Sequence, residues 1–225
     1  MYATAIRSDV EIQRDVLTEL RWDTRFETAE IGVSVTNGVV VLTGPVDSYG
    51  KKWAASDAAH RVNGVLDVAN DLQVTLPGAA LKSDVDIAKA VRHSLEWDVF
   101  VPDRKIRSTV TNGWVTLEGE VESLREREAA GIVVRNLAGV KGVTNSIVVK
   151  AKKVQPAEIR EKIEEALERR ADRDAERIAI AVEDGTVTLT GRVHSWLEKQ
   201  AVLGTVDHAP GVSHVHDKLR IDPFF

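Results

Sequence analysis

The run Asn37-Gly38-Val39-Val40-Val41-Leu42-Thr43-Gly44 decides the fold, because it occurs three times. It returns as Asn112-Gly113-Trp114-Val115-Thr116-Leu117-Glu118-Gly119 and as Asp184-Gly185-Thr186-Val187-Thr188-Leu189-Thr190-Gly191, at offsets of 75 and then 72 residues. Downstream, each run is followed at one spacing by Gly-Val: Gly64-Val65, Gly139-Val140 and Gly211-Val212. Upstream, Ile12, Val16 and Leu20 match Ile87, Val91 and Leu95, and then Ile159, Ile163 and Leu167. Signals this far apart that hold one spacing mark a single supersecondary unit written out in triplicate.

Each unit reads the same way. A helix opens at Ser8, Ser83 or Gln155; Ser8 and Glu11 form a capping box, and Pro156 takes the first helical position. Its apolar residues at i, i+4 and i+8 make one buried stripe. Alternation of Ile31, Val33 and Val35 with Gly32 and Ser34 predicts a strand buried on one face. Asn-Gly or Asp-Gly then supplies the two positive φ angles of a type I′ hairpin turn. The return strand turns Val40, Leu42 and Val46 inward, and a second helix starts at Ser48, Ser123 or Ser195, with Glu126 and Glu198 completing capping boxes. A last strand carries Val68, Leu72 and Val74 and their counterparts. The expected fold class is α+β: three tandem αββαβ modules, each a three-stranded sheet with two helices on one face.

The modules are expected over residues 1–77, 78–153 and 154–225, joined by Pro77-Gly78-Ala79-Ala80-Leu81-Lys82 and Ala151-Lys152-Lys153-Val154. Cores of about 70 residues are thin, so neighbouring modules are expected to pack together.

Composition narrows the function. The 225 residues are 43% hydrophobic and 29% charged with a mean hydropathy of −0.16, which excludes a disordered chain. No run approaches the ~20 apolar residues that cross a bilayer, and the opening MYATAIRSDVEIQRDV holds no signal-peptide core, so a cytoplasmic protein is expected. There are no cysteines, hence no disulfides and no thiolate metal site. A net charge of −5 argues against a nucleic-acid coat. Phosphate loops, nucleophile elbows and His-Glu-x-x-His are all missing, and acidic pairs such as Glu164-Glu165 and Asp172 with Asp174 read as solvated surface. Neither an enzyme nor a cofactor is expected.

The Asn-Gly-x-Val-x-Leu-x-Gly-x-Val run, the capped second helix, and Gly64-Val65 with Val68-Ala69-Asn70 or Gly139-Val140 with Val143-Thr144-Asn145 resemble the BON domain, named for bacterial osmotically inducible and nodulation proteins. Trp22-Asp23 and Trp97-Asp98 are similar to that family as well. The third copy departs from it at Arg169, Asp217 and Pro210. The resemblance implies a non-enzymatic, stress-associated module that binds phospholipid or another membrane-associated partner.

Comparison among the copies separates inside from outside. Tyr49, Leu124 and Trp196 share one apolar slot at the start of the second helix and are expected as core or staple residues. Trp53 aligns with Glu128 and Gln200, and Trp114 with Val39 and Thr186, so both slots face outward elsewhere; such tryptophans fill contacts between repeats or meet a partner. Residues 78–153 carry 13 basic and 10 acidic side chains, whereas the flanking copies each carry a net −4. The candidate contact surface for anionic phospholipid is therefore Arg104, Lys105, Arg107, Trp114 and Lys150, with Trp53 from the first copy. The rival expectation is a self-associating or protein-binding scaffold, a homo-oligomer that uses its exposed sheet faces and Trp53. His214 and His216 share one side of the last strand, but Asp217 points the other way, so no metal is expected.

Overall fold

The computed structural model describes residues 7–26, 31–78, 81–169 and 178–222. Ala79 and Ala80 of the first linker, and Asp172 with Asp174, lie outside the described residues. The first repeat contains α1 (Asp9–Trp22), β1 (Gly32–Thr36), β2 (Val39–Val46), α2 (Tyr49–His60) and β3 (Asp67–Val74). The second contains α3 (Asp84–Trp97), β4 (Ile106–Thr111), β5 (Trp114–Val121), α4 (Leu124–Arg135) and β6 (Gly142–Val149), with a one-turn 3-10 helix at Asp103–Lys105. The third contains α5 (Pro156–Arg169), β7 (Ile178–Glu183), β8 (Thr186–Val193), α6 (Trp196–Asp207) and β9 (His214–Ile221). Each repeat is thus an α+β module around its own three-stranded sheet, as the sequence predicts.

In every sheet the middle strand is the second: β2 pairs antiparallel with β1 and parallel with β3, and β5 does the same with β4 and β6. The parallel pair is bracketed by two backbone bonds, from Leu66 N to Gly38 O at 2.9 Å and from Thr75 N to Val46 O at 2.8 Å. The same two bonds join Lys141 to Gly113 and Lys150 to Val121, then Ser213 to Gly185 and Asp222 to Val193.

The turns are as expected: φ is 50° and 75° at Asn37 and Gly38, 53° and 81° at Asn112 and Gly113, and 45° and 77° at Asp184 and Gly185. Asparagine and aspartate tolerate the left-handed region and glycine occupies it freely, which is why these pairs make the turn. Two turns carry a clamp that the sequence reading missed. Asp9, the first residue of α1, accepts from Asn37 N and Gly38 N at 2.8 and 2.9 Å. Asp84 holds Asn112 and Gly113 at the same distances. Pro156 stands at the equivalent place in the third repeat and offers no carboxylate.

The helix stripes are buried as predicted: Ile12, Val16 and Leu20, then Ile87, Val91 and Leu95, then Ile159, Ile163 and Leu167. In the first repeat they close on Val40 and Leu42 from β2 and on Ala55, Ala58 and Ala59 from α2, so both helices cover one face of the sheet. Asn70 ties that second helix to the third strand: its amide donates to Lys52 O at 2.7 Å, and its oxygen accepts from Leu72 N at 3.3 Å. Asn145 repeats both bonds with Arg127 and Ile147. Asp217 retains the acceptor role, taking Leu219 N at 2.9 Å.

The chain packs as two compact units, one of residues 1–79, 193–199 and 221–225, the other of residues 80–192 and 200–220. Within the first, the His60 ring stacks on Trp196 with centroids 3.8 Å apart and planes at 10°. Tyr49, Leu124 and Trp196 are half-buried at the first positions of α2, α4 and α6; in Trp196 the apolar face is used against that histidine.

Candidate binding surface

The six side chains singled out from the sequence come from two repeats. Trp53 lies half-exposed on α2 of the first repeat, whereas the other five belong to the second repeat. Trp114 opens β5 directly opposite Gly142 on β6. Its ring lies over that glycine, where a β-carbon would overlap the six-membered ring, and its indole N–H donates to the Thr144 hydroxyl at 2.8 Å. A large part of its apolar area is therefore spent inside its own module.

The lysines are matched by carboxylates. Outward positions along β5 alternate through Glu118 and Glu120, and Glu122 follows the strand. Lys105 Nζ sits 2.8 Å from Glu122, and Lys150 Nζ 2.6 Å from Glu120. The first pair shares a hydrogen bond that raises the lysine's pKa and lowers the glutamate's, so each holds the other charged. Arg107 faces Glu118 across the antiparallel pair without an ion pair, and Arg104 is exposed on the 3-10 turn; neither has an ion-pair partner among the described residues. The charge free to meet a partner thus narrows to these arginines.

A second group lies a few residues before Arg104 in the chain. Leu95 ends the buried stripe of α3, and Trp97, two residues on, lies about 200° round the helix and so points away from the core. The chain then turns sharply: Asp98 accepts from Phe100 N at 2.8 Å through its carboxylate and from Val101 N at 3.2 Å through its carbonyl. Val101 is buried, so the loop hangs between two anchors and turns its remaining apolar side chains out. Trp97, Val99 and Phe100 are 77, 87 and 51% exposed. The Arg125 guanidinium lies 4.2 Å from the centre of the Phe100 ring, a cation–π contact. Arg92 pins the following turn to α3 through Asp103 at 2.9 Å. In the sequence Trp97 stands out only through the family likeness. Counting its angle from Leu95 would have found it.

In the first repeat the same bend carries Thr24-Arg25-Phe26, where Arg25 bonds Asp23 and draws its carboxyl down to about 2. Phe26 packs on the core. Trp22 is fully outward there, but without the adjoining apolar pair.

One further depression, in the second unit, is lined by Leu124, Arg127, Glu128, Asn145 and Asp207. Burial pushes the Asp207 carboxyl up to about 6; Glu128 adds to the rise, and His208 opposes it. No nucleophile adjoins it. The His214 and His216 rings meet edge-on at 5.1 Å, and among the described residues no group of three His, Asp or Glu side chains could hold a metal ion. No described helix is long and apolar enough to cross a membrane.

The curated relative Osmotically-inducible protein Y of Escherichia coli (strain K12) is 29% identical over 130 residues, covering 55% of this chain and 64% of that protein. The chain thus aligns with under two thirds of that relative's length. Among solved structures, CdsD, a structural protein of the type III secretion system of Chlamydia trachomatis, matches at 11% identity with a TM-score of 0.27, over 93% of this chain and 91% of that one. Its C-terminal domain gives the same identity and TM-score over 96% of this chain and all of that one. The sequence profile described as BON domain matches residues 8–75, 83–151 and 156–223, one match to each repeat. The chain belongs to the BON domain family, as three tandem copies.

Proposed function

We propose that this protein is a non-enzymatic binding protein of the osmotic-stress kind that attaches peripherally to anionic phospholipid through its middle module. The observation that carries the reading is the loop of Trp97, Val99 and Phe100, three large apolar side chains exposed within four residues and accompanied by Arg125. Tryptophan and phenylalanine settle at the headgroup boundary, and each nearby basic side chain adds about 1 kcal/mol against an anionic leaflet. Arg104 and Arg107 contribute there because their charges are unspent, whereas Lys105 and Lys150 are engaged by Glu122 and Glu120. The osmotic context follows from the similarity to Osmotically-inducible protein Y.

The test is co-sedimentation with phosphatidylglycerol-containing and pure phosphatidylcholine vesicles at low and high salt. The wild type binds the anionic vesicles, and salt weakens the binding. Trp97→Ser/Phe100→Ser and Arg104→Glu/Arg125→Glu each reduce it severalfold. Equal binding to both vesicle types, no binding to either, or full binding by the Trp97→Ser/Phe100→Ser variant overturns the reading.

A further inference from the structure

The three sheets share an inward face and differ on the outward one, and the differences have opposite signs. In the first module no lysine, arginine or histidine occupies an outward position of β1, β2 or β3, and the only charges there are Asp67 and Asp71. In the third module Arg192, Lys218 and Arg220 point outward from β8 and β9, joined by His214 and His216. Glu183, at the hairpin end, is the one carboxylate at an outward position of that sheet. Lys218 and Arg220 have no ion pair among the described residues. The middle module offers no such imbalance, since Lys150 bridges to Glu120 and Trp114 stands across the sheet.

The first face is built largely from small residues such as Ser34, Thr36, Val41 and Ala69, and β7 and β8 of the third from Ala179, Ala181, Thr188 and Thr190. The small residues leave room for a facing sheet at ~10 Å, into which the long basic side chains of β9 extend.

From these complementary faces we infer that the outward sheet of the third module docks on the outward sheet of the first module of a second copy of this chain. This goes beyond membrane attachment and does not depend on it. Because the two surfaces differ, the contact is heterologous, and it extends from copy to copy wherever its rotation does not close on itself. Three strands of up to eight residues span roughly 26 by 14 Å, on the order of 400 Å² a side, about half of what a stable complex buries. The association is therefore weak and electrolyte-sensitive.

Sedimentation equilibrium of the full chain tests it at about 0.01 M and 1 M salt, where charges act over about 30 and 3 Å. In low salt the weight-average mass climbs with concentration past the dimer, and in high salt it returns to 24.7 kDa. Asp67→Lys/Asp71→Lys and Lys218→Glu/Arg220→Glu each stay monomeric alone, since like charges then face each other, but an equimolar mixture associates again, because every contact between unlike variants pairs opposite charges. A wild type that stays at 24.7 kDa in low salt, a mixture that stays monomeric, or a Lys218→Glu/Arg220→Glu variant that loses only vesicle binding overturns the inference.

Discussion

Trp114 lies across Gly142, its partner in the parallel register of β5 and β6, and the two residues specify each other. The first module pairs Val39 with Asp67 at this place, so the large ring appears where the opposite residue has lost its side chain. Gly142→Ala is expected to displace the ring and cost about 1 kcal/mol, the scale of an overpacked site. Trp114→Val and Gly142→Asp alone each cost at least a similar amount, but Trp114→Val/Gly142→Asp, which restores the first module's pair, costs less than the sum of those two. Urea unfolding of the wild type, these two single variants and the double variant measures the coupling.

The hairpin clamp separates the modules. Asp84→Ala leaves two backbone N–H groups without their acceptor and is expected to cost about 1–3 kcal/mol. In hydrogen exchange of the wild type, the amides of Asn112 and Gly113 exchange more slowly than those of Asp184 and Gly185, where Pro156 replaces the clamping aspartate. Equal exchange at the two turns counts against the clamp.

Leu95 and Trp97 lie on one helix and are expected to behave as opposites. Leu95→Ala removes a buried side chain and costs about 2–5 kcal/mol. Trp97→Ala removes a larger one from solvent and changes stability by at most about 0.5 kcal/mol. Thermal unfolding of both variants decides whether the 97–100 loop is surface equipment or part of the core.

Acidification acts on two groups with opposite signs. Asp207 has its pKa raised to about 6 by burial and by Glu128, so between pH 4 and 6 the folded chain holds a proton that the unfolded chain has released. Stability from this group is present at low pH and is lost as pH rises through 6. Burial lowers the pKa of His60, against the pull of Asp67 and Asp57 and with a small push from Lys199; its buried Nδ1 has no hydrogen-bond partner among the described residues. The unfolded chain therefore takes up that proton first, and stability is lost as pH falls below the ordinary histidine value of about 6.5. Asp207→Asn is expected to raise stability at pH 7 and leave it unchanged near pH 4. His60→Phe, which keeps the stack on Trp196, removes the loss below pH 6.5. Chemical denaturation from pH 4 to 8 gives both profiles.

The interior of each module is legible in the sequence because it depends on local rules. Asn37-Gly38 must turn since both residues enter the left-handed region, and Ser8 with Glu11 caps α1 within four residues. The surface is less legible because its partners are distant along the chain. Asp9 reaches a turn 28 residues away, and Trp114 a strand 30 residues away, so neither contact leaves a periodic trace. The stack of His60 on Trp196 joins the first repeat to the third and has no local signal at all. Two features were within reach. Glu118 and Glu120 alternate on β5 beside the basic residues, and the angle between Leu95 and Trp97 follows from helix geometry.

Leu42, Leu117 and Leu189 are fully enclosed at one and the same point of three sheets within a single polypeptide. The molecule thereby carries its own replicates. One truncation made in turn at each leucine, with chain length, solvent and expression host held constant, would weigh the local surroundings of each copy against the other two, and drift between duplicated genes becomes measurable inside one protein.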